Sequence, residues 1–297
     1  MSFRSVLPLS AVLGLALASP AGAQPAIRTL IIDGQNNHQW RLTTPVLKRH
    51  LEAGKRFTVD VTSHLKSGDK PGAVKTVPFP PDLSKYDVVV SNYNGAPWPE
   101  GFNKDLERRL SEGTLGLVIV HAANNSFPGW KEYNDMIGMG WRDNKFGDRL
   151  ILDASGKEVR VEKGKGQGAG HGKKHAFAVT VRDAEHPVTK GMPREWMHTA
   201  DELYHGMRGP VQNVKVLATA FDDRKQGGTG EHEPMIWTVT YGKGRVFHTP
   251  MGHDLDGLRC VGFAATLQRG TEWAATGKVT IPLPENFPTT EKTSSVR

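Results

Sequence analysis

Residues 116–130, GLVIVHAANNSFPGW, decide the expected fold. Leu117–Val120 is a short apolar run, typical of a buried strand, and it ends at once in a polar group that includes His121, Asn124 and Asn125. In an open α/β sheet, ligands bind in the crevice beyond the carboxyl ends of the parallel strands. A histidine and two amides at this point therefore predict a binding or catalytic crevice at the end of this strand.

Short apolar strands alternate with helices on both sides of this segment. Further strands are predicted at 29–33, 57–61, 86–91, 176–181, 214–220, 235–241 and 245–248. Helices are predicted from Thr44-Pro45 onwards, at 99–112 with Gly113 as its stop, and at 256–276. Mostly apolar strands separated by helices are typical of parallel strands covered on both faces, so the predicted class is α/β.

The chain ends and the middle of the sequence depart from this alternation. A signal peptide is predicted over 1–23 from Arg4, an apolar run and the small residues 21–23 before Gln24. The apolar run is too short to span a bilayer, so the protein is expected to be exported, periplasmic or secreted. Residues 24–281 are expected to form a single domain. A glycine-rich insertion is predicted near 134–175, and a loosely held polar tail over 282–297.

Composition excludes several classes of function. The net charge is +7, but the basic residues are not interleaved with stacking aromatics, so no nucleic-acid partner is expected. The later sequence contains no stretch of transmembrane length, so no membrane span is expected after residue 23. The single cysteine, Cys260, lies on the apolar stripe of the last predicted helix and is interpreted as a buried small hydrophobe. The oligomeric state is left open.

Polar clusters follow three of the early predicted strands. The first contains Asn36 and His38, the second contains Asn94, and the third begins at His121. Asparagine and glycine are good turn formers, which accounts for one such cluster more easily than for three. If the strands are parallel neighbours, the clusters share one edge of the sheet and predict a polar crevice there.

Two later segments carry acid–base groups. In DELYH, residues 201–205, Glu202 and Tyr204 would share one face of an extended segment. His253 and Asp254 follow a predicted strand, where Asp254 could orient the imidazole or cap the last helix. His171 and His175, in the glycine-rich stretch, are weaker candidates.

Several mechanisms lack their sequence signature. The sequence has no G-x-S-x-G nucleophile elbow, no G-x-G-x-x-G after the first strand and no P-loop, so no nucleotide cofactor is expected. It also has no dense zinc motif. A catalytic metal needs only about three protein ligands, so a divalent metal such as zinc held by His121, His205 and His253 stays compatible with the sequence.

Taken together, these segments resemble the ThuA-like (trehalose utilisation) family. The matching stretches are LIIDGQNNHQW, YDVVVSNYNG, GLVIVHAANNSFPGW, DELYH, HEPMIWTVTYGKGRVFHTPMGHD and LQRGTEWAATG, which together extend over about residues 28–277. The resemblance implies a flavodoxin-like, class I glutamine amidotransferase-like three-layer fold and a sugar or keto-sugar substrate. The His121 region stands where an amidotransferase has its cysteine, so cysteine-dependent amidotransfer is not expected.

The leading hypothesis is an exported enzyme acting on a carbohydrate, such as a 3-keto-glycoside, by hydrolysis, elimination or isomerisation. Glu202 or His253 would be the base, His121 would stabilise the oxyanion with or without a metal, and Asp254 would orient His253. The side chains expected to bind sugar are Asn36, His38, Asn94, Asn124, Asn125, Trp130, Tyr204 and His205. The alternatives are a non-catalytic sugar-binding module and a metal-dependent hydrolase of another substrate.

Overall fold

The computed structural model describes Met1 and residues 24–296; the expected signal peptide therefore falls almost wholly outside the described residues. The strands are β1 (Ile27–Gly34), β2 (Phe57–His64), β3 (Val88–Ser91), β4 (Gly116–Val120), β5 (Arg149–Leu152), β6 (Glu158–Val161), β7 (Gly170–His171), β8 (His175–Val181), β9 (Glu195–Asp201), β10 (Tyr204–His205), β11 (Val214–Phe221), β12 (His232–Tyr241) and β13 (Gly244–Thr249). The helices are α1 (Trp40–Glu52), α2 (Glu100–Glu112), α3 (Lys131–Ile137), α4 (Leu255–Leu258) and α5 (Val261–Thr276).

The central sheet has the order β2-β1-β3-β4-β13-β12-β11-β8-β9. Its first five strands are mutually parallel, and the remaining four continue the sheet in antiparallel fashion. The predicted α/β class is confirmed. Because β1, β3 and β4 are neighbours, their carboxyl ends meet at one edge of the sheet.

Each face of the sheet has its own apolar core. Val118 and Val120 of β4 face a core shared with α1, α4 and α5, whereas Leu117 and Ile119 face a core shared with α2 and α3. This alternation follows from the two-residue period of a strand, which sends successive side chains to opposite faces. Helices on both faces explain why the parallel strands are apolar throughout.

Two helix boundaries differ from the sequence predictions. α1 begins at Trp40 rather than near Thr44, and Pro45 lies inside it. Trp40 is buried, so the apolar contact of the early turn favours a helix that contains the proline. The last predicted helix is divided into α4 and α5 at Cys260, whose backbone forms an isolated bridge with Ser295. Cys260 is fully buried, as its position on the apolar stripe predicted.

The glycine-rich segment and the tail are more ordered than expected. The segment carries β5, β6 and β7, and the buried Arg208 donates to backbone carbonyls along it. In the tail, Thr289 accepts a backbone hydrogen bond from Met197, and Phe287 packs on Trp196. The tail therefore satisfies backbone groups of the domain. In the described part of the chain, no helix is long and apolar enough to cross a membrane.

Candidate functional site

His121 immediately follows β4 and has an unusual backbone conformation. Its φ is +46°, in the left-handed region, which costs a non-glycine residue about 1–2 kcal/mol. The chain turns there into a short 3-10 helix, His121–Asn125, and the imidazole is 3% exposed. Strain of this kind is retained where the surrounding structure fixes it, and it often accompanies a functional side chain.

The hydrogen bonds of His121 define its protonation. Nδ1 lies 2.6 Å from the carbonyl oxygen of Pro250 and must donate to it, so Nε2 carries a lone pair. The hydroxyl of Tyr204 donates to Nε2 at 2.9 Å. Desolvation by burial lowers the pKa of His121 to about 3, which keeps the ring neutral at neutral pH.

His38 presents a second lone pair to the same point. Its Nδ1 lies 3.3 Å from Oδ1 of Asn36, whose amide nitrogen donates to the carbonyl of Asn92, so the amide oxygen faces the ring and Nε2 is left unprotonated in the neutral form. Nε2 of His38 is 3.4 Å from Nε2 of His121. Desolvation by burial lowers the pKa of His38 to about 4. Two neutral imidazoles thus aim unprotonated nitrogens at each other, an arrangement that a shared cation would stabilise.

The carboxylate of Glu202 lies close to these imidazole nitrogens. Its Oε2 is 3.9 Å from Nε2 of His121, and its Oε1 is 3.3 Å from Nε2 of His253 and 3.5 Å from Nε2 of His171. Burial raises the pKa of Glu202, while the neighbouring histidines act in the opposite direction. Glu202 lies in the connection between β9 and β10, so the antiparallel half of the sheet brings it to the edge formed by the parallel half.

The cluster suits a divalent metal. One ligand atom from each of His38, His121 and Glu202 lies within 4.8 Å of the others. Zinc–nitrogen bonds of 2.0–2.1 Å in a tetrahedron separate two ligand atoms by about 3.4 Å, close to the observed distance between the two Nε2 atoms. Both rings also use Nδ1 for a hydrogen bond to an oxygen, which is how metal-binding histidines are oriented.

The insertion contributes His171, a weaker candidate in the sequence, and Trp141, which the sequence pattern did not single out. His171 reaches the cluster because β7 pairs with β10, which places it opposite Tyr204. Trp141 packs edge-on against Tyr204, with ring centroids 4.6 Å apart. Burial raises the pKa of Tyr204, so its hydroxyl keeps the proton. The histidine is visible in the sequence, but its long-range strand pairing leaves no local periodic signal.

Asp254 contacts α4, the insertion and the His253 ring. It caps α4 by accepting from the backbone nitrogen of Asp256, and its Oδ2 forms an ion pair at 2.5 Å with Nζ of Lys174 in the insertion. Its Oδ2 is also 3.4 Å from Nδ1 of His253, without a hydrogen bond between the two atoms, so the predicted capping is observed and the orienting role stays a prediction.

Several predicted side chains lie outside the cluster. His205 donates to Asp222 at 2.6 Å, on the opposite side of β10 from Tyr204, and is not among the converging ligand atoms. Asn124 is fully buried and donates to His248. Trp130 donates from its indole to Glu107.

The other predicted amides take part mainly in the fold around the site. Asn36 and Asn94 link the loops after β1 and β3, the first through the carbonyl of Asn92 and the second through the side chain of Asn37. The carbonyl of Asn125 accepts from Arg142.

A cavity adjoins the cluster on the side of His38 and His253. Its volume is about 380 Å³, and it is open to solvent. Its lining residues are Asn37, His38, Gln39, Leu42, Thr43, His253, Asp254, Leu255 and Asp256.

The comparisons with known proteins agree with this architecture. A family model described as ThuA, trehalose utilisation, matches residues 28–274. A ThuA-like protein of Parabacteroides merdae ATCC 43184 is 40% identical with a TM-score of 0.84, over 92% of this chain and 98% of that protein. A ThuA-like protein of Bacteroides uniformis ATCC 8492 is 19% identical with a TM-score of 0.57, over 89% of this chain and 97% of that one, and shares the fold. No curated protein matches the sequence. The chain therefore belongs to the ThuA family and has its glutamine amidotransferase-like fold.

Proposed function

We propose that the protein is an exported enzyme that uses a divalent metal, held by His38, His121 and Glu202, to act on a keto-sugar such as a 3-keto-glycoside. The observation that carries this proposal is the convergence of two unprotonated imidazole nitrogens and one carboxylate within 4.8 Å. Membership of the trehalose utilisation family supports a carbohydrate substrate. Export rests on the sequence of residues 1–23.

The metal would make the substrate easier to deprotonate. When bound, a divalent cation supplies a Lewis acid that polarises a carbonyl oxygen. Glu202 would then be a metal ligand, which leaves His253 as the base. Nε2 of His253 lies 3.3 Å from the Glu202 carboxylate, and the ring lines the cavity. A metal on Nε2 of His121 would take the lone pair that otherwise accepts from Tyr204, and the Tyr204 hydroxyl, which keeps its proton, could then donate to a developing oxyanion.

The reaction would begin with one proton transfer. His253 takes the proton from the carbon next to the keto group, and the C–H electron pair moves onto the keto oxygen as an enolate. In isomerisation the hydroxyl proton on the deprotonated carbon passes to the enolate oxygen, that carbon becomes the new carbonyl, and His253 returns its proton to the former carbonyl carbon. In elimination the enolate expels a glycosidic oxygen, which takes the proton from His253. Both routes share the first step, so that step is the one to measure.

The open cavity is suited to a sugar. Asn37, Gln39 and Asp254 supply hydrogen-bonding groups, and Leu42 supplies an apolar surface that is 49% exposed. A few polar groups placed around an apolar wall are typical of small-molecule sites. Trp141 forms a further aromatic wall beside Tyr204.

Exchange of the substrate proton in D₂O tests the proposal. The zinc-loaded protein is incubated with a 3-keto-disaccharide, and loss of the proton signal next to the keto group is followed by NMR. We expect Glu202→Gln and His253→Gln to slow this exchange by about 10²–10⁴-fold, the usual contribution of a general base or an electrophilic group. His175→Gln is the control, because that ring bonds the carbonyl of Lys173 and packs on Phe177.

The outcomes separate the competing functions. Saturable sugar binding with no exchange at high protein concentration would favour a non-catalytic sugar-binding module. Exchange that persists after chelation and in His121→Ala would remove the metal from the proposal. Wild-type rates in His253→Gln would remove His253 as the base.

A further inference from the structure

One buried carboxylate connects the two segments that carry Glu202 and His253. Asp201, at the end of β9, is fully buried. Its Oδ1 accepts from the backbone nitrogens of Glu202 at 2.9 Å and His253 at 3.1 Å. Its Oδ2 accepts from the backbone nitrogen of Gly252 at 2.7 Å. Three amides from two separate loops are thereby fixed on one side chain.

A buried histidine completes this arrangement. Nε2 of His198 donates to Oδ2 of Asp201 at 2.8 Å, and both side chains are fully buried. Desolvation alone would lower the pKa of His198, but the hydrogen bonds and charges of Asp201 and Cys260 outweigh it, and the pKa rises to about 9. Nε2 of His198 therefore donates to a carboxylate, and hydrogen bonds to a charged acceptor are about twice as strong as neutral ones.

The surrounding space is closed. A Cβ placed on Gly257 of α4 would lie 2.4 Å from Oδ2 of Asp201, so the helix rests directly on the carboxylate. Four donors occupy the carboxylate, and no room is left for it to shift. Neither Glu202 nor His253 can change its backbone position without breaking a charge-assisted hydrogen bond.

From this geometry we infer that Asp201, held by His198, is a positioning residue that sets the distance between the Glu202 carboxylate and the His253 ring. Its consequence for cation affinity rests on the proposed function. Its consequence for the two loops does not, because the hydrogen bonds exist without any ligand. The two consequences can therefore be measured separately.

The test substitution is Asp201→Asn. An amide has the shape of the carboxylate, but its NH₂ end faces donors and cannot accept from them. The matched control is Glu272→Gln, in another fully buried carboxylate, on α5, which accepts from Arg56, Thr280 and Ile281. Both variants lose one buried charge, but only the first touches the site segments.

Two readouts are applied to the full chain. The first is the affinity for Co²⁺, followed by its visible absorption, which we expect to fall about 10–100-fold in Asp201→Asn, as when a group that orients a ligand is removed. The second is amide hydrogen exchange without metal. We expect residues 201–204 and 250–257 to exchange at least about tenfold faster in Asp201→Asn than in Glu272→Gln, because lost hydrogen bonds lower local opening energies.

The outcomes are distinct. Wild-type exchange in both segments of Asp201→Asn would overturn the inference, as would equal losses of Co²⁺ affinity in the two variants. If the wild type binds no Co²⁺, the metal of the proposed function fails while the exchange arm still decides the positioning role. Should Asp201→Asn not fold, His198→Gln keeps the carboxylate, removes the imidazole that donates to it and is measured in the same way.

Discussion

Acid sensitivity of folding should depend strongly on one buried imidazole, that of His248 on β13. The ring is fully buried, its Nδ1 lies 3.3 Å from the carbonyl of Ile137, and its Nε2 accepts from Asn124 at 3.2 Å. It also packs on Trp237 with ring centroids 3.8 Å apart. Both ring nitrogens are engaged in the neutral form, so a second proton would face the Asn124 amide donor.

The structure gives the sign and size of the effect. Desolvation by burial lowers the pKa of His248 from 6.5 to about 3, so the unfolded chain takes up a proton at a higher pH than the folded one. The stability contributed by the neutral ring is complete above pH 6.5 and is lost as the pH falls toward 3. At 1.36 kcal/mol per pH unit, the unfolding free energy falls by about 3 kcal/mol between pH 8 and pH 4 from this residue alone.

His248→Gln tests this expectation. Urea unfolding is followed by tryptophan fluorescence at pH 8, 6 and 4 for the wild type and the variant. The variant is expected to be about 1–3 kcal/mol less stable at pH 8, through lost hydrogen bonding, and the difference should shrink or reverse by pH 4. Thr249→Val is the control, because it removes a buried hydrogen bond to Met235 from the same strand and cannot titrate. Equal acid-side losses in the wild type and His248→Gln would refute the assignment of this loss to His248.

Three further outcomes follow from the site and the tail. Zinc at a hundred times its dissociation constant should raise the free energy of unfolding by about 2.7 kcal/mol, or the melting temperature by roughly 5–10 °C in differential scanning fluorimetry. His121→Ala should abolish that gain, whereas His175→Ala should keep it. Without metal, His121→Gly should be more stable than His121→Ala by about 1 kcal/mol in urea unfolding, because φ is +46° there; equal stabilities would mean that the turn is not strained. Arg269→Met should lower the free energy of unfolding by about 3 kcal/mol or more and expose the chain after residue 281 to proteolysis. The reason is that the guanidinium donates to the carbonyls of Pro187, Val188, Lys190 and Ile281. An unchanged cleavage rate would contradict its role in docking the tail.

The parallel half of the fold could be predicted from the sequence because its signals are local. Each strand from β1 to β4 is a short apolar run, and α2 is bounded by Gly113, whose φ is +77°. Local signals also placed His38 and His121 at one edge, because neighbouring parallel strands end on the same side. Membership of the ThuA family, proposed from the motifs, is confirmed by the family match.

The antiparallel contributions could not be predicted in the same way. His171 approaches Glu202 only because β7 pairs with β10, more than thirty residues further along the chain. Asp201 stands beside Glu202 in the sequence, and His198 lies on the same strand, yet its partners Gly252 and His253 are set by the packing of β9 against the loop after β13. Polar residues also serve the fold itself: Asn124 looks like a ligand in sequence but satisfies a buried histidine.

The electrostatics of the cluster explain why a histidine, rather than a cysteine, suits the turn after β4. Nδ1 of His121 is fixed by the carbonyl of Pro250, so Nε2 is an acceptor and cannot serve as a proton donor to a leaving group. Burial holds His38 and His121 neutral at neutral pH, so neither ring carries a positive charge that would balance the Glu202 carboxylate. A site with converging lone pairs and a negative carboxylate attracts a cation, and hydrated divalent metals exchange water for such donors. Under the proposed function, the turn that would expose a nucleophile in a cysteine enzyme would instead present a fixed metal ligand, and the chemistry would shift from covalent attack toward polarisation of a carbonyl.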